Sequence, residues 1–168
     1  PQILNQLKPD ASNGPEIAQR LETELPEESK AIEETRKRFL DARLAAVPRL
    51  NRNQLEELAV ILREFGREKE TNETISRWLR AQEKRLDNGE LDGILAVADE
   101  QLFAFERWKN PVHRDAGVER LKKAWFLSKD AAPKDAALIE QRLGRLGWTR
   151  LHDKWLTDGQ ITNLPRND

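Results

Sequence analysis

From Ile32 to Leu146 the apolar residues of this chain recur three or four positions apart, and Pro, Gly or Asn interrupts them at short intervals. A period near 3.6 lines one face of a helix, whereas a period of two would line a strand. Four stripes follow one another. They are Ile32, Phe39, Leu40, Leu44 and Val47; Leu55, Leu58, Ala59, Leu62 and Phe65; Ile75, Trp78, Leu79 and Leu86; and Leu91, Ile94, Leu95, Ala98, Leu102, Phe105 and Trp108. Val97 and Phe103 widen the last, which is the longest, so its helix is expected to be the most buried. Six or seven helices with almost no sheet follow from this pattern.

The interruptions place the ends. Pro15 suits the first turn of a short helix to about Leu25, and Pro26 opens the next, with Glu27 and Glu28 complementing the helix dipole and Pro48 ending it. Asn53 with Glu56 has capping-box spacing, Gly66 is expected late in that helix, and Thr71 or Asn72 is expected to cap the one after. Asp87-Asn88-Gly89 is the next stop, with Gly89 suited to a left-handed C′ position. Asn110-Pro111 then opens a segment carrying Leu121, Ala124 and Trp125, which breaks at Ala131-Ala132-Pro133 before a last helix reaches Gly147. Leu95, Leu102, Phe105, Leu121, Trp125 and Leu143 are expected to centre the core.

Only 148–157 reads as strand, because Trp148, Arg150 and His152 alternate with Thr149 and Leu151. A hairpin turning near His152-Asp153-Lys154 would set Trp148 roughly opposite Trp155 and cover Leu143, Leu146 and Trp125. An isolated hairpin is marginal in water, so this one needs helices beneath it. The expected fold is all-α: an array or bundle of antiparallel helical hairpins with a small C-terminal β-hairpin-like cap. The expected domains are an arm at 1–14, one helical domain at 15–157 and a tail or linker at 158–168.

At 168 residues the chain can build one real core. Charged residues make up 35%, well above the usual quarter, which suits narrow apolar stripes beside wide solvated faces. A formal net charge of −1 gives no general attraction to nucleic acid or acidic membrane. No stretch approaches the apolar length of a membrane span. There is no cysteine, which removes disulfides and thiolate chemistry. With Pro1 first and no methionine anywhere, the chain is expected to be a processed form or an excised fragment of a longer protein.

Ala116-Gly-Val-Glu-Arg-Leu121-Lys-Lys-Ala124-Trp-Phe-Leu-Ser-Lys resembles the second helix of a tetratricopeptide repeat, with small residues at Gly117 and Ala124, Leu121 at the large apolar position and Pro133 near the turn. Phe105 stands where that repeat has a small residue, and no second copy follows at the repeat's period. Leu146-Gly147-Trp148 with Asp153-Lys154-Trp155-Leu156-Thr157 is similar to a short closing segment found after helical repeats in large multidomain bacterial proteins, which usually have Gly or Asp-Gly in place of Asp153-Lys154. These resemblances imply a helical-hairpin module within a larger bacterial protein and lean towards an extracytoplasmic compartment. They imply no activity.

The chemical candidates are few. Asn88, Glu90, Asp92 and Asp99 fall at calcium-loop positions one, three, five and twelve, with Gly93 at six, but the loop wants Asp first and Glu last. A helix end followed by a solvated first turn accounts for the same residues. His113 and His152 have no nucleophile constellation around them, and no phosphate loop or metal-binding helix motif is present. No catalytic residue and no cofactor is therefore assigned. Basic residues cluster around Arg36, at Arg77 and Arg80, and at Arg120 and Lys123, interleaved with acids at intrahelical pairing distances. The interaction candidates are Trp148, Trp155, Arg77, Arg80, Arg120 and Lys123. A non-catalytic interaction or scaffold module is the leading expectation, its partner another protein or other domains of the parent chain. A nucleic-acid-binding helical domain, or an accessory domain of an enzyme, is the alternative.

Overall fold

The computed structural model describes residues 29–163. The arm at 1–14, the helix from Pro15 to Leu25 and the start at Pro26 lie outside the described residues. Within them the chain is all-α with one small hairpin, as the periodicity requires. The helices are α1 (Ser29–Ala46), α2 (Arg52–Glu64), α3 (Thr71–Leu86), α4 (Leu91–Trp108), α5 (Pro111–Ser128), α6 (Pro133–Arg145) and α7 (Asp158–Thr162). Strands β1 (Trp148–Leu151) and β2 (Lys154–Thr157) pair antiparallel between α6 and α7. Two compact units divide the chain, the first ending at Ala81 and the second beginning at Gln82, within α3.

In the first unit α1 buries Ile32, Thr35, Phe39 and Leu40, and Thr35 donates its hydroxyl to Ala31 O, so a polar residue joins the stripe at no cost in lost hydrogen bonds. The capping box of α2 belongs to Asn51 and Gln54, not to Asn53 and Glu56. Starting there puts Leu50 at N′ and Leu55 at N4, the two staple positions, and both are buried. Trp78 of α3 donates its indole N–H to Leu50 O at 2.7 Å, which anchors that entry to the core. Gly66 lies beyond the end of α2 at φ 68°, in the left-handed region that favours glycine. Neither Thr71 nor Asn72 starts α3 as a cap. A 3-10 turn over Glu68–Glu70, closed by Arg67 on the Glu70 carboxylate at 2.5 and 2.6 Å, runs straight into it.

In the second unit α5 lies between α4 and α6 and packs on both. Seven of its residues are buried: His113, Gly117, Val118, Leu121, Ala124, Trp125 and Ser128. The longer apolar stripe of α4 buries five, Gly93, Ile94, Val97, Ala98 and Ala104, so α5 and not α4 is the most buried helix. Leu121, Trp125 and Leu143 sit in the core as expected, but Leu95, Leu102 and Phe105 are only half-buried. The buried side of α4 runs through Val97 and Ala104, rotated from the side its bulkiest residues mark.

Gly147, at φ 81°, turns the chain out of α6 into the hairpin. Its register pairs Trp148 with Thr157 and Arg150 with Trp155, so the two tryptophans are diagonal neighbours on one face, not opposite each other. That face packs on the core. Trp155 meets Trp125 edge to face at 5.5 Å, and Lys122 of α5 lies 3.4 Å from the centre of the Trp148 ring. Beyond the hairpin, Thr157 and Gln160 form a capping box for α7 where a tail was expected.

Candidate functional site

The two connections that make α4–α5 and α5–α6 hairpins reverse the chain twice, so α4 and α6 run the same way along α5. Between them is a groove of about 430 Å³. Leu91 and Leu95 from α4 and Leu138 and Ile139 from α6 form its apolar part, and Asp92, Asp135, Gln141, Arg142 and Arg145 form its polar edge. Ile139 belongs to the core, with Ala136 and Leu143 in step along α6. Leu138 is off that step and stays 60% exposed.

The charges along the groove are ordered. Asp92 and Asp135 each lie in the first turn of their helix, so they share one end. Arg142 pairs with Asp99 across the middle. Arg145 stands ten residues beyond Asp135, about 15 Å along the helix at 1.5 Å per residue. Among the described residues no ion pair or hydrogen bond occupies the side chains of Asp92, Asp135 or Arg145. In a first turn an aspartate favours the helix dipole without needing a partner, which leaves its carboxylate oxygens available to a ligand.

The residues singled out from the sequence go to several places. Arg120 is held by Glu83 and Asp87, so Glu83 pairs between helices where intrahelical pairing was expected. The Gly89 backbone N–H and the Arg120 guanidinium hold the Asp87 carboxyl below its ordinary value. Lys123 is exposed on α5, and Arg77 and Arg80 are exposed on the part of α3 that belongs to the first unit. Trp148 and Trp155 are half-buried beneath the hairpin, their rings committed to Lys122 and Trp125.

Asn88, Glu90, Asp92 and Asp99 do not converge. Asn88 Oδ1 accepts from Glu90 N, Asp99 goes to Arg142, and Asp92 goes to the groove edge. Among the described residues no three His, Asp or Glu side chains are placed to hold a metal ion. Gly93 has a packing reason: a Cβ there would lie 2.5 Å from Leu86 O and 2.3 Å from Asn88 Oδ1. His113 is buried, and burial pushes its pKa down; His152 is exposed in the hairpin turn at φ 56°.

Sequence reasoning missed the groove itself. Its one visible signal was Leu138, an apolar residue outside the Ala136–Ile139–Leu143 stripe. No protein-family model matches this chain, and comparison with curated proteins and with solved structures returns no match. Among the described residues no helix is long and apolar enough to cross a membrane.

Proposed function

We propose that this chain is a non-catalytic protein-interaction module of tetratricopeptide-like helical-hairpin type within a larger protein, and that the α4–α6 groove holds its partner. The observation that carries the reading is Leu138, 60% exposed in a concavity it shares with half-buried Leu91 and Leu95. Single exposed leucines on convex surface are ordinary, but apolar side chains gathered in a groove with a polar edge have the composition of a binding site. Fully covering one leucine contributes about 1.5–3 kcal/mol, so two or three of them suit a modest, reversible complex. The repeat-like reading draws support from Gly117, where a Cβ would run into the Leu102 side chain, and from Ala124, which is fully buried.

The partner is a segment of another protein or of another domain of the parent chain. A random peptide library displayed on phage tests this by panning on the wild-type chain and on Leu138→Glu. Leu138 is exposed, so the variant keeps its fold, which circular dichroism checks. Enrichment on the wild type that the variant abolishes supports the groove. Equal enrichment on both, or none, contradicts it.

A further inference from the structure

The charge order of the groove narrows what it can hold. Two unpaired carboxylates, Asp92 and Asp135, stand at the end where Leu91 begins the apolar part, and the unpaired guanidinium of Arg145 stands at the other. Between them Arg142 and Asp99 neutralise each other. Resting on the interaction reading above, we infer that the occupant is a short apolar protein segment bearing a lysine or arginine. Its cation sits between Asp92 and Asp135, and its apolar side chains lie on Leu91, Leu95 and Leu138.

The complementarity follows from three separate features. The apolar part selects a Leu-, Ile- or Phe-class anchor, because Leu138 gains nothing from a polar neighbour. Two carboxylates on neighbouring helices, both near solvent, attract a cation without the desolvation penalty of a buried pair. Arg145 repels the same cation from the far end, so the segment has one preferred direction. A negatively charged segment is disfavoured where the two aspartates repel it, which gives discrimination as well as attraction. Screening makes the charged contribution salt-dependent, while the apolar contribution is not.

The library selection described above separates this inference from the reading it rests on. Peptides enriched on the wild type and lost on Leu138→Glu should carry Lys or Arg beside an apolar anchor. For a synthetic peptide from that set, Asp92→Asn with Asp135→Asn should weaken binding by roughly threefold to tenfold, the size expected of two exposed pairs, and raised salt should remove most of the difference. The charge-reversed chain, Asp92→Lys with Asp135→Lys, should regain binding when the peptide's cation is replaced by Glu, a rescue that a merely structural role of the aspartates would not produce. Enriched peptides without a cation, or an affinity unmoved by the Asn pair, would overturn the inference and leave the groove reading intact. Failure to find any Leu138-dependent peptide removes both. If the wild-type chain sediments as a dimer that Leu138→Glu converts to monomer, the groove is closed by a second copy and the inference is wrong.

Discussion

Helices α4 and α5 are each eighteen residues long, and the more apolar of the two is the less buried. α4 carries Leu91, Ile94, Leu95, Val97, Leu102, Phe103, Phe105 and Trp108, yet most of its large side chains are half-exposed. α5 carries arginine, lysine, histidine and serine among its apolar residues and still buries seven positions. Place in the stack explains the reversal. α5 is covered by α4 and also by α6 and the hairpin, so it needs small or satisfied residues across one broad buried face. Gly117 and Ala124 supply closeness, and Ser128 returns its hydroxyl to Ala124 O and Trp125 O. Of the half-buried apolar residues of α4, Leu91 and Leu95 line the groove.

Trimming the chain after Gly147 should have the largest effect, because it removes the hairpin that packs against the core at Trp125. Trp148 and Trp155 leave together, and Trp125 loses its edge-to-face neighbour. A melting temperature lowered by roughly 10 °C or more, or loss of a cooperative transition, is expected in calorimetry. An unchanged melt would show that the hairpin is not part of the α5 packing.

Leu121→Ala comes next. The residue is fully buried at the centre of α5, and a cavity there should cost about 2–5 kcal/mol by denaturant unfolding. A smaller cost follows Gly93→Ala at the start of α4. The gain of about 1 kcal/mol in helix propensity is outweighed by the clash with Leu86 O, a backbone atom that cannot swing away, and a net loss of about 1–2 kcal/mol is expected.

The α5 histidine gives a pH signature. Burial lowers the His113 pKa from 6.5, so below that value the unfolded chain binds the proton more readily than the folded one. The stabilising contribution is fully present above pH 6.5 and is lost as pH falls toward the folded value. The Asp87 and Glu70 carboxyls, both held below their ordinary values, release theirs only in more acid solution. The melting temperature should therefore drop between pH 7.5 and pH 5, and His113→Gln should flatten that slope. An identical slope in the variant would assign the pH dependence elsewhere.

These contrasts also show what was legible in the sequence. The helical period, the stops at Asn110-Pro111 and Pro133, and the Trp148–Thr157 hairpin are local signals, and the structure follows them. The burial order was not legible, because a stripe records how apolar a face is and not how many neighbours cover it. α5 buries His113, Gly117 and Ser128 on one broad face and leaves Val112, Phe126 and Leu127 exposed, so its apolar pattern does not mark its buried side. Asn53 and Glu56 had the same spacing as Asn51 and Gln54, and only the burial of Leu50 and Leu55 decides between them. The Thr157–Gln160 box, which was legible, lay in a stretch assigned to the tail. The groove needed three dimensions: Asp92 and Asp135 are 43 residues apart in sequence and line one groove only because α4 and α6 both pack on α5.

The most direct measurement compares Leu121→Ala with Leu95→Ala in stability and in binding of a groove-selected peptide. If α5 is the pillar and the surplus face of α4 is for binding, Leu121→Ala costs about 2–5 kcal/mol of stability, whereas Leu95→Ala costs about 1 kcal/mol and weakens the peptide several-fold. Equal stability losses with unchanged peptide affinity in Leu95→Ala would contradict it.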